Sequence, residues 1–294
     1  MLEFLSWIVS TVGSALYGLG WTILNLGTVL NLSDAESVYR LVFYGASGEL
    51  LALVLMLALG LFIAGLFHRP FLWSVVQGIE GFSNGLGRFA AWAGLLMVLQ
   101  QVLIVFLQSI FRVADISIGP FGLEFEKPLG WYADGLKFYN AIVVCLCCAY
   151  TFVQGGHVRV DLFYANWSHR GKRIAAMIGT ALFMLPALFL TYFSAWFYMW
   201  RHLIKPNVSA TDTLDRMLAK ARAFNWSGET IAASPSGFNA YFLYKVLIVL
   251  FCVTMILQAF AFFFRSWLEL QEGPDAAGKS LDRDVLTPVD EGAA

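Results

Sequence analysis

The stretch FVQGGHVRVDLFYANWSHRGKR, residues 152–173, separates two long apolar runs of the chain. The first run, 138–156, ends inside this stretch and contains no Asp, Glu, Lys or Arg. The second run, 174–200, follows the stretch and is also uncharged. An α-helix rises 1.5 Å per residue, so about 20 apolar residues cross the ~30 Å hydrocarbon core of a bilayer. The pattern therefore predicts two membrane-spanning helices joined by a short polar loop.

The composition of the whole chain agrees with this interpretation. Of its 294 residues, 59% are hydrophobic and 13% are charged, and the mean hydropathy is +0.69. Soluble domains carry about 25% charged residues, so this chain has too few charges to cover a water-exposed surface. The net charge of −1 argues against a nucleic-acid partner, because nucleic-acid binding requires a basic surface.

Six apolar segments are long enough to span a bilayer, and their continuous apolar runs favour helices over strands. These segments are 4–30, 50–67, 89–111, 138–156, 174–200 and 238–264. The first is rich in glycine and either spans the membrane or lies in its interface. Residues 71–82 have apolar side chains at helical spacing and form either a short interfacial helix or an ordinary connector. The predicted fold class is an all-α integral membrane protein.

The basic residues of the short loops predict the orientation of the chain. Arg69 and Arg88 lie between the second and third segments, and four basic residues lie in 157–173. Short loops rich in Lys and Arg face the cytoplasm, so six spans would place both termini there. The loop 201–238 is also basic, but long loops follow the rule less strictly. The polar residues 269–294 are expected to form a flexible cytoplasmic tail.

Candidates for chemistry are few. No P-loop and no G-x-S-x-G sequence is present, so we predict no enzyme activity, no metal site and no cofactor. The cysteines at 145–148 lack the spacing of a zinc site and lie in an apolar run, where they favour close helix packing. His68 and His157 can lie on the same side of the membrane. The alternative function is therefore a haem- or quinone-binding anchor of a redox complex.

Polar side chains within the apolar segments indicate contacts rather than a transport path. Lys137 and Lys245 lie near segment ends, where their side chains can reach the headgroups. The centres of the segments hold almost no ionisable residue, which favours an accessory subunit over a carrier. Aromatic residues near 192–200 predict an interfacial belt. The glutamines expected to contact neighbouring helices or a partner are Gln100, Gln101, Gln108 and Gln258.

A short motif follows the uncharged run 138–156. It consists of a glycine and then H-V-x-V-D, formed by Gly156, His157, Val158, Val160 and Asp161. This resembles the small membrane subunit family, DctQ, of tripartite ATP-independent periplasmic (TRAP) transporters. The following loop residues Ser168, His169 and Arg170 and the last apolar segment, with Gln258 and Arg265, are also similar to the family. The resemblance covers residues 88–268.

The resemblance implies a four-helix family core at 88–268, preceded by an extension, 1–87, with one or two extra membrane helices. It further implies a scaffold subunit in the bacterial inner membrane that binds a large permease subunit. That permease moves sodium and an organic acid or similar small solute delivered by a periplasmic substrate-binding protein. The residues of the motif and cytoplasmic loop are Gly156, His157, Arg159, Asp161, Arg170 and Arg173.

Within this loop, we expect Arg159 to pair with Asp161 at the membrane edge. Arg170, Lys172 and Arg173 are expected to meet anionic membrane lipids. Alternatively, any one of these basic residues only helps to set the membrane topology and has no specific partner. The long loop 201–238 and the N-terminal extension depart from the family pattern.

Overall fold

The computed structural model describes most of the chain as helix. The described residues are 2–25, 27, 35–112, 115–118, 125–155, 167–201, 203–207, 209–219, 223–224, 236–239, 241–279 and 281–282. The helices are α1 (Leu2–Leu24), α2 (Ala35–Gly45), α3 (Gly48–Phe67), α4 (Arg69–Phe111), α5 (Leu129–Gln154), α6 (His169–Arg201), α7 (Leu214–Ala219) and α8 (Tyr241–Glu272). The antiparallel strand pairs are β1 (Asp115–Ile118) with β2 (Phe125–Pro128), and β3 (Ile204–Lys205) with β4 (Ala223–Phe224).

Five of the described helices, α3, α4, α5, α6 and α8, are long and apolar enough to cross a membrane. This confirms the predicted all-α membrane class and five of the six predicted segments. The glycine-rich first segment forms α1, a helix of 23 residues that packs against α3 and is not among these five.

Helix α8 lies at the centre of the bundle. Half of the residues in its most apolar 18-residue stretch are buried in the protein. In the other four spanning helices the buried share of that stretch is 6–17%. It packs against α4, α5 and α6. Since lipid is as apolar as a leucine side chain, burial alone does not drive such helices together, and their packing depends on close fit and polar contacts.

Helix α4 is much longer than the sequence predicted. Its 43 residues extend about 64 Å, roughly twice the hydrocarbon thickness. The predicted interfacial helix or connector at 71–82 is wrong as a separate element, because these residues form an early part of α4. A one-residue turn at His68 joins α3 to α4, and the Nδ1 atom of His68 accepts a hydrogen bond of 3.2 Å from the Phe71 amide. Leu72 and Val76 are fully buried against the protein rather than facing headgroups.

Helices α4 and α5 approach each other closely at Gly87. A Cβ atom at this position would lie 2.2 Å from the Cβ atom of Tyr150. The Sγ atom of Cys147 donates to the Gly87 carbonyl at 3.5 Å. The cysteine run 145–148 therefore includes a residue that lies in a helix–helix contact.

The ends of the bundle differ in character. One end, called here the charged end, is formed by the α3–α4 turn, the end of α5, the start of α6 and the end of α8. At the opposite end, α6 contacts α2, and the Trp196 indole donates to the Val42 carbonyl at 3.0 Å. Trp200 is also buried there. These two aromatic residues of the predicted interfacial belt therefore pack within the protein, because α2 covers the end of α6.

Substitution of Gly87 by alanine should destabilise the bundle. The new methyl group overlaps Tyr150, and such overpacking costs about 1–3 kcal/mol. Thermal unfolding of the detergent-solubilised protein, followed by size-exclusion chromatography, measures the effect. Gly85→Ala is the matched control, because a Cβ atom at Gly85 meets nothing within 4 Å. Equal unfolding temperatures for the two variants would contradict the close α4–α5 contact.

Candidate functional site: a buried ionic cluster at the charged end

A buried ion pair joins α8 to α4. The Nε atom of Arg265 donates to Oε1 of Glu80 at 2.7 Å, and Nη2 donates to Oε2 at 2.5 Å. Both side chains are buried, with 7% and 6% of their surfaces exposed. Two parallel bonds between a guanidinium group and a carboxylate fix both distance and orientation, so this pair sets the register of the two helices.

A second carboxylate, one helical turn further along α8, extends the pair to α6. Glu269 lies four residues after Arg265, on the same face of α8. Its Oε1 atom is 3.7 Å from Nη1 of Arg265, and its Oε2 atom is 2.7 Å from Nη1 of Arg173 in the first turns of α6. Arg173 and Glu269 are close enough to form an ion pair, but their orientation does not make a hydrogen bond. Glu80, Arg173, Arg265 and Glu269 are called the ionic cluster below, and their formal charges cancel.

Burial makes the ionic cluster sensitive to the loss of Glu80, Arg265 or Glu269, which are 2–7% exposed. Transfer of a charge from water to a protein interior costs several kcal/mol, and the opposite charge offsets that cost only while the pair is intact. Removal of one partner from a buried pair costs about 3–5 kcal/mol, whereas the intact pair adds little net stability. The cluster is therefore best understood as a geometric lock among α4, α6 and α8.

The chain after α8 folds back over the ionic cluster. Residues 273–279 and 281–282 are called the C-terminal strap. The strap turns at Gly273 and Gly278, whose φ angles of 91° and 75° favour glycine. Arg265 Nη1 donates to the Lys279 carbonyl at 3.1 Å, and the Gly278 amide donates to Glu269 Oε1 at 3.2 Å. The strap thus supplies polar partners that the buried charges require.

Trp73 of α4 contacts both the last residue of α8 and the strap. Its indole nitrogen donates to Glu272 Oε1 at 2.8 Å. The Arg265 guanidinium and the Lys279 ammonium lie 5.2 Å and 5.8 Å from its ring centroid, within cation–π range. The predicted tail begins at residue 269, whereas α8 continues to Glu272 and the strap contacts α4 and α8. Residues 283–294 lie outside the described residues.

Four residues of the predicted motif, Gly156, His157, Arg159 and Asp161, lie outside the described residues. The two loop residues beyond them begin α6, where the Ser168 hydroxyl caps the helix by accepting from the Gly171 amide at 3.3 Å. Arg170 is exposed, as a headgroup contact requires. Arg173 instead joins the ionic cluster, because Glu269 offers a partner inside the protein.

The four predicted glutamines separate into two pairs. Gln100 donates to the Tyr132 carbonyl at 2.6 Å, which joins α4 to the start of α5. Gln258 is buried and accepts from the Ser83 hydroxyl at 3.2 Å, which joins α8 to α4. The side chains of the other pair, Gln101 and Gln108, are exposed on α4.

Lys245 contradicts the expectation that it reaches the headgroups. Its side chain is 1% exposed, and its ammonium lies 5.0 Å and 4.8 Å from the ring centroids of Tyr198 and Tyr241. The two tyrosine hydroxyls are hydrogen-bonded to each other. Aromatic faces attract a desolvated cation, so this contact holds α8 against α6 at the opposite end.

The structure gives no support to the redox alternative. His68 caps α4 through Nδ1, and His157 lies outside the described residues. In the part of the chain that the structure describes, no group of three or more His, Cys, Asp or Glu side chains is placed to hold a metal ion.

The sequence did not predict the ionic cluster as a unit. The four-residue spacing of Arg265 and Glu269 indicates an ion pair on one helix face, and it is the sequence feature that points to the cluster. Glu80 is 185 residues from Arg265 in the chain and lies in a stretch expected to be an interfacial helix or connector. Its partner depends on how α4 packs against α8, which a single sequence does not reveal.

Comparison with known protein families identifies one match. Residues 101–269 match the sequence model for the DctQ component of tripartite ATP-independent periplasmic transporters. The matched range covers more than half of the chain, begins within α4 after the predicted boundary at residue 88, and ends in α8. No curated protein and no solved structure matches the chain significantly.

Replacement of Arg265 by methionine should destabilise the protein strongly. The change leaves Glu80 buried without its partner, and we expect a loss of about 3–5 kcal/mol. Addition of Glu80→Gln to the variant should recover part of the loss, because it removes the unpaired charge.

Thermal unfolding of the purified protein measures all three variants. Arg40→Met is the control, since Arg40 is 34% exposed and contacts Glu36 one turn away on α2 and the Trp21 ring, which together contribute about 1 kcal/mol. A similar small effect for Arg265→Met and Arg40→Met would show that the cluster is not a structural lock.

Proposed function

Because the chain belongs to the DctQ family, the small membrane component of TRAP transporters, we propose that it is the scaffold subunit of a sodium-coupled uptake system. It would bind a large permease subunit, which moves sodium and an organic acid or similar small solute. A periplasmic substrate-binding protein would deliver that solute. In this proposal the chain itself has no catalytic role and lies in the bacterial inner membrane.

The observation that carries the proposal is the packing of α8. A scaffold needs a fixed shape, and α8 is half-buried among α4, α5 and α6. Arg265 fixes it at the charged end and Lys245 at the opposite end. The buried charges of these contacts engage other groups of the same chain, an arrangement that favours a static subunit over a solute-binding one.

The surface that would receive the large subunit is proposed to be the end of α4. Beyond Gln100, which contacts the start of α5, α4 continues through residues 101–111, called here the α4 extension. Its exposed apolar side chains are Val102, Leu103, Val105, Phe106, Ile110 and Phe111. Gln101 and Gln108 lie on the same side of this extension, because seven residues make about two helical turns. Amides on an apolar helix face favour a partner helix that offers hydrogen bonds.

We further propose that the charged end faces the cytoplasm. Arg69 is the first residue of α4, and Arg170 and Lys172 lie in the first turn of α6, each next to a connection between spanning helices. Basic residues that flank short connections are retained on the cytoplasmic side. The C-terminal strap would then be cytoplasmic. A membrane-spanning α1 would place the N terminus on the same side.

The N-terminal extension, 1–87, is proposed to enlarge the scaffold. Its helix α3 packs closely on α4, since a Cβ atom at Gly65 would lie 2.5 Å from a side-chain carbon of Leu72. The Phe62 ring of α3 also lies 5.8 Å from Phe263 and 5.3 Å from Trp267 of α8, measured between ring centroids. These contacts make α3 part of the same packed bundle as the family core.

Co-purification tests the proposed role. A tagged copy of the chain, extracted from its native membrane in mild detergent, should bring with it a larger multi-helix permease in a constant ratio. Mass spectrometry of the purified sample identifies the partner. A tagged chain that purifies alone and transports solute in liposomes would contradict the scaffold function.

The double substitution Gln101→Leu and Gln108→Leu should weaken the association. Leucine keeps the helix and its apolar face but removes both amides, so we expect the recovered permease to fall about tenfold for a loss of ~1.4 kcal/mol. Ser194→Ala is the control, because the exposed Ser194 hydroxyl bonds to the Leu190 carbonyl of its own helix. Unchanged recovery with the double variant would place the partner surface elsewhere.

A further inference from the structure

Asp282, in the C-terminal strap, is held by polar side chains of α4 and α5. Nη2 of Arg88 lies 3.0 Å and 2.9 Å from the two carboxylate oxygens of Asp282. The Asn84 amide donates to Oδ2 at 3.3 Å and to the Asp282 carbonyl at 2.9 Å. The Gln154 amide donates to the same carbonyl at 2.9 Å. One guanidinium group and two amides therefore converge on a single anionic residue.

The three donors are positioned by the helices that carry them. Asn84 and Arg88 are four residues apart on α4 and share one face. The Asn84 side chain is fully buried, and its oxygen accepts from Gln154 Nε2 at 3.1 Å. That bond orients the Asn84 nitrogen toward the strap. The donors are thus fixed by the α4–α5 contact, and the strap is the element that closes over them.

The contact with Asp282 is of an exchangeable kind. The Arg88 and Asp282 side chains are 45% and 56% exposed, and ion pairs of this exposure are among the weaker contacts in proteins. Asp282 is tethered to the end of α8, and a short tether sets an effective concentration in the millimolar range. An external anion at a similar local concentration would compete with it.

We propose that Asn84, Arg88 and Gln154 form an anion-binding site that the C-terminal strap fills with Asp282, and that an external anionic oxygen group displaces the strap. The Asp282 carboxylate contacts Arg88 and Asn84, and the Asp282 carbonyl accepts from Asn84 and Gln154. The ligand is a phosphate or carboxylate group. Its nearest source is the headgroup of an anionic lipid, because Arg88 lies at the charged end of the spanning helices, and a soluble anion is the other source. The inference does not depend on the transport role.

Displacement of Asp282 also affects the ionic cluster. The same strap supplies the Lys279 carbonyl to Arg265 and the Gly278 amide to Glu269. Release of Asp282 loosens these bonds. Binding of an external anion at the site therefore weakens the contacts between the strap and the ionic cluster. The amides of the strap therefore report on the state of the site.

Hydrogen exchange measured by mass spectrometry on the full-length chain, in the assembly in which it is extracted, tests the proposal. In nanodiscs of neutral phosphatidylcholine, amides of the strap should be protected. With about one third phosphatidylglycerol, the proposal predicts exchange of the strap roughly fivefold faster. A second arm adds inorganic phosphate to neutral nanodiscs and compares it with chloride at equal ionic strength.

Variants distinguish anion binding at this site from a general effect of charge on strap exchange. Arg88→Gln and Asp282→Asn should each raise strap exchange in neutral nanodiscs and abolish the response to anionic lipid. Arg40→Gln removes an arginine of α2 whose contacts are with Glu36 and Trp21, and it should leave strap exchange unchanged. Acceleration by phosphatidylglycerol identifies a lipid ligand, and acceleration by phosphate but not chloride identifies a soluble one. The proposal is overturned if neither anion accelerates exchange, if chloride acts equally, or if Arg88→Gln has no effect in neutral nanodiscs.

Discussion

The buried pair between Arg265 and Glu80 is the contact on which the rest of the bundle depends. Helices in lipid gain little from burial of apolar side chains, because the surrounding lipid is equally apolar. A forked guanidinium–carboxylate pair has one favourable geometry, so it selects one register of α8 against α4. Glu269 then adds α6 through Arg173, and the C-terminal strap covers the group and supplies further hydrogen bonds.

The opposite end of α8 has its own cationic contact. Lys245 and Arg265 are 20 residues apart on this helix, which corresponds to about 30 Å, the thickness of the hydrocarbon core. The Lys245 ammonium lies within cation–π range of the Tyr198 and Tyr241 rings, so α8 is attached to its neighbours near both of its ends. Between these points its buried contacts are mainly apolar, with Gln258 and Ser83 as a polar link. A helix fixed in this way suits a subunit whose contribution is a stable surface.

Much of this architecture could be predicted from the sequence because it depends on continuous apolar runs. Five spanning helices and the family membership follow from the lengths of those runs and from the H-V-x-V-D motif. Features that depend on packing could not be predicted. The sequence predicts an interfacial helix or connector at 71–82 from apolar residues at helical spacing. The partner that makes Glu80 acceptable in a long helix lies on α8. The sequence predicts that Lys245 reaches the headgroups because it lies near a segment end. The aromatic rings that contact its ammonium come from α6 and from the start of α8, and their position depends on packing. Gln101 and Gln108 are exposed on α4, and their contact with a partner chain stays a prediction.

The central claim, that α4, α6 and α8 form a rigid unit, is tested most directly by distance measurement in the membrane. Spin labels at the exposed positions of Phe82 on α4 and Ile174 on α6, in a background with the native cysteines replaced, report the geometry of the charged end. Pulsed electron paramagnetic resonance on the membrane-embedded protein, in sodium and in potassium buffers, gives the distance distribution. The account predicts one narrow distribution that is the same in both buffers. A broad distribution, or a shift of the distance on addition of sodium, would contradict it.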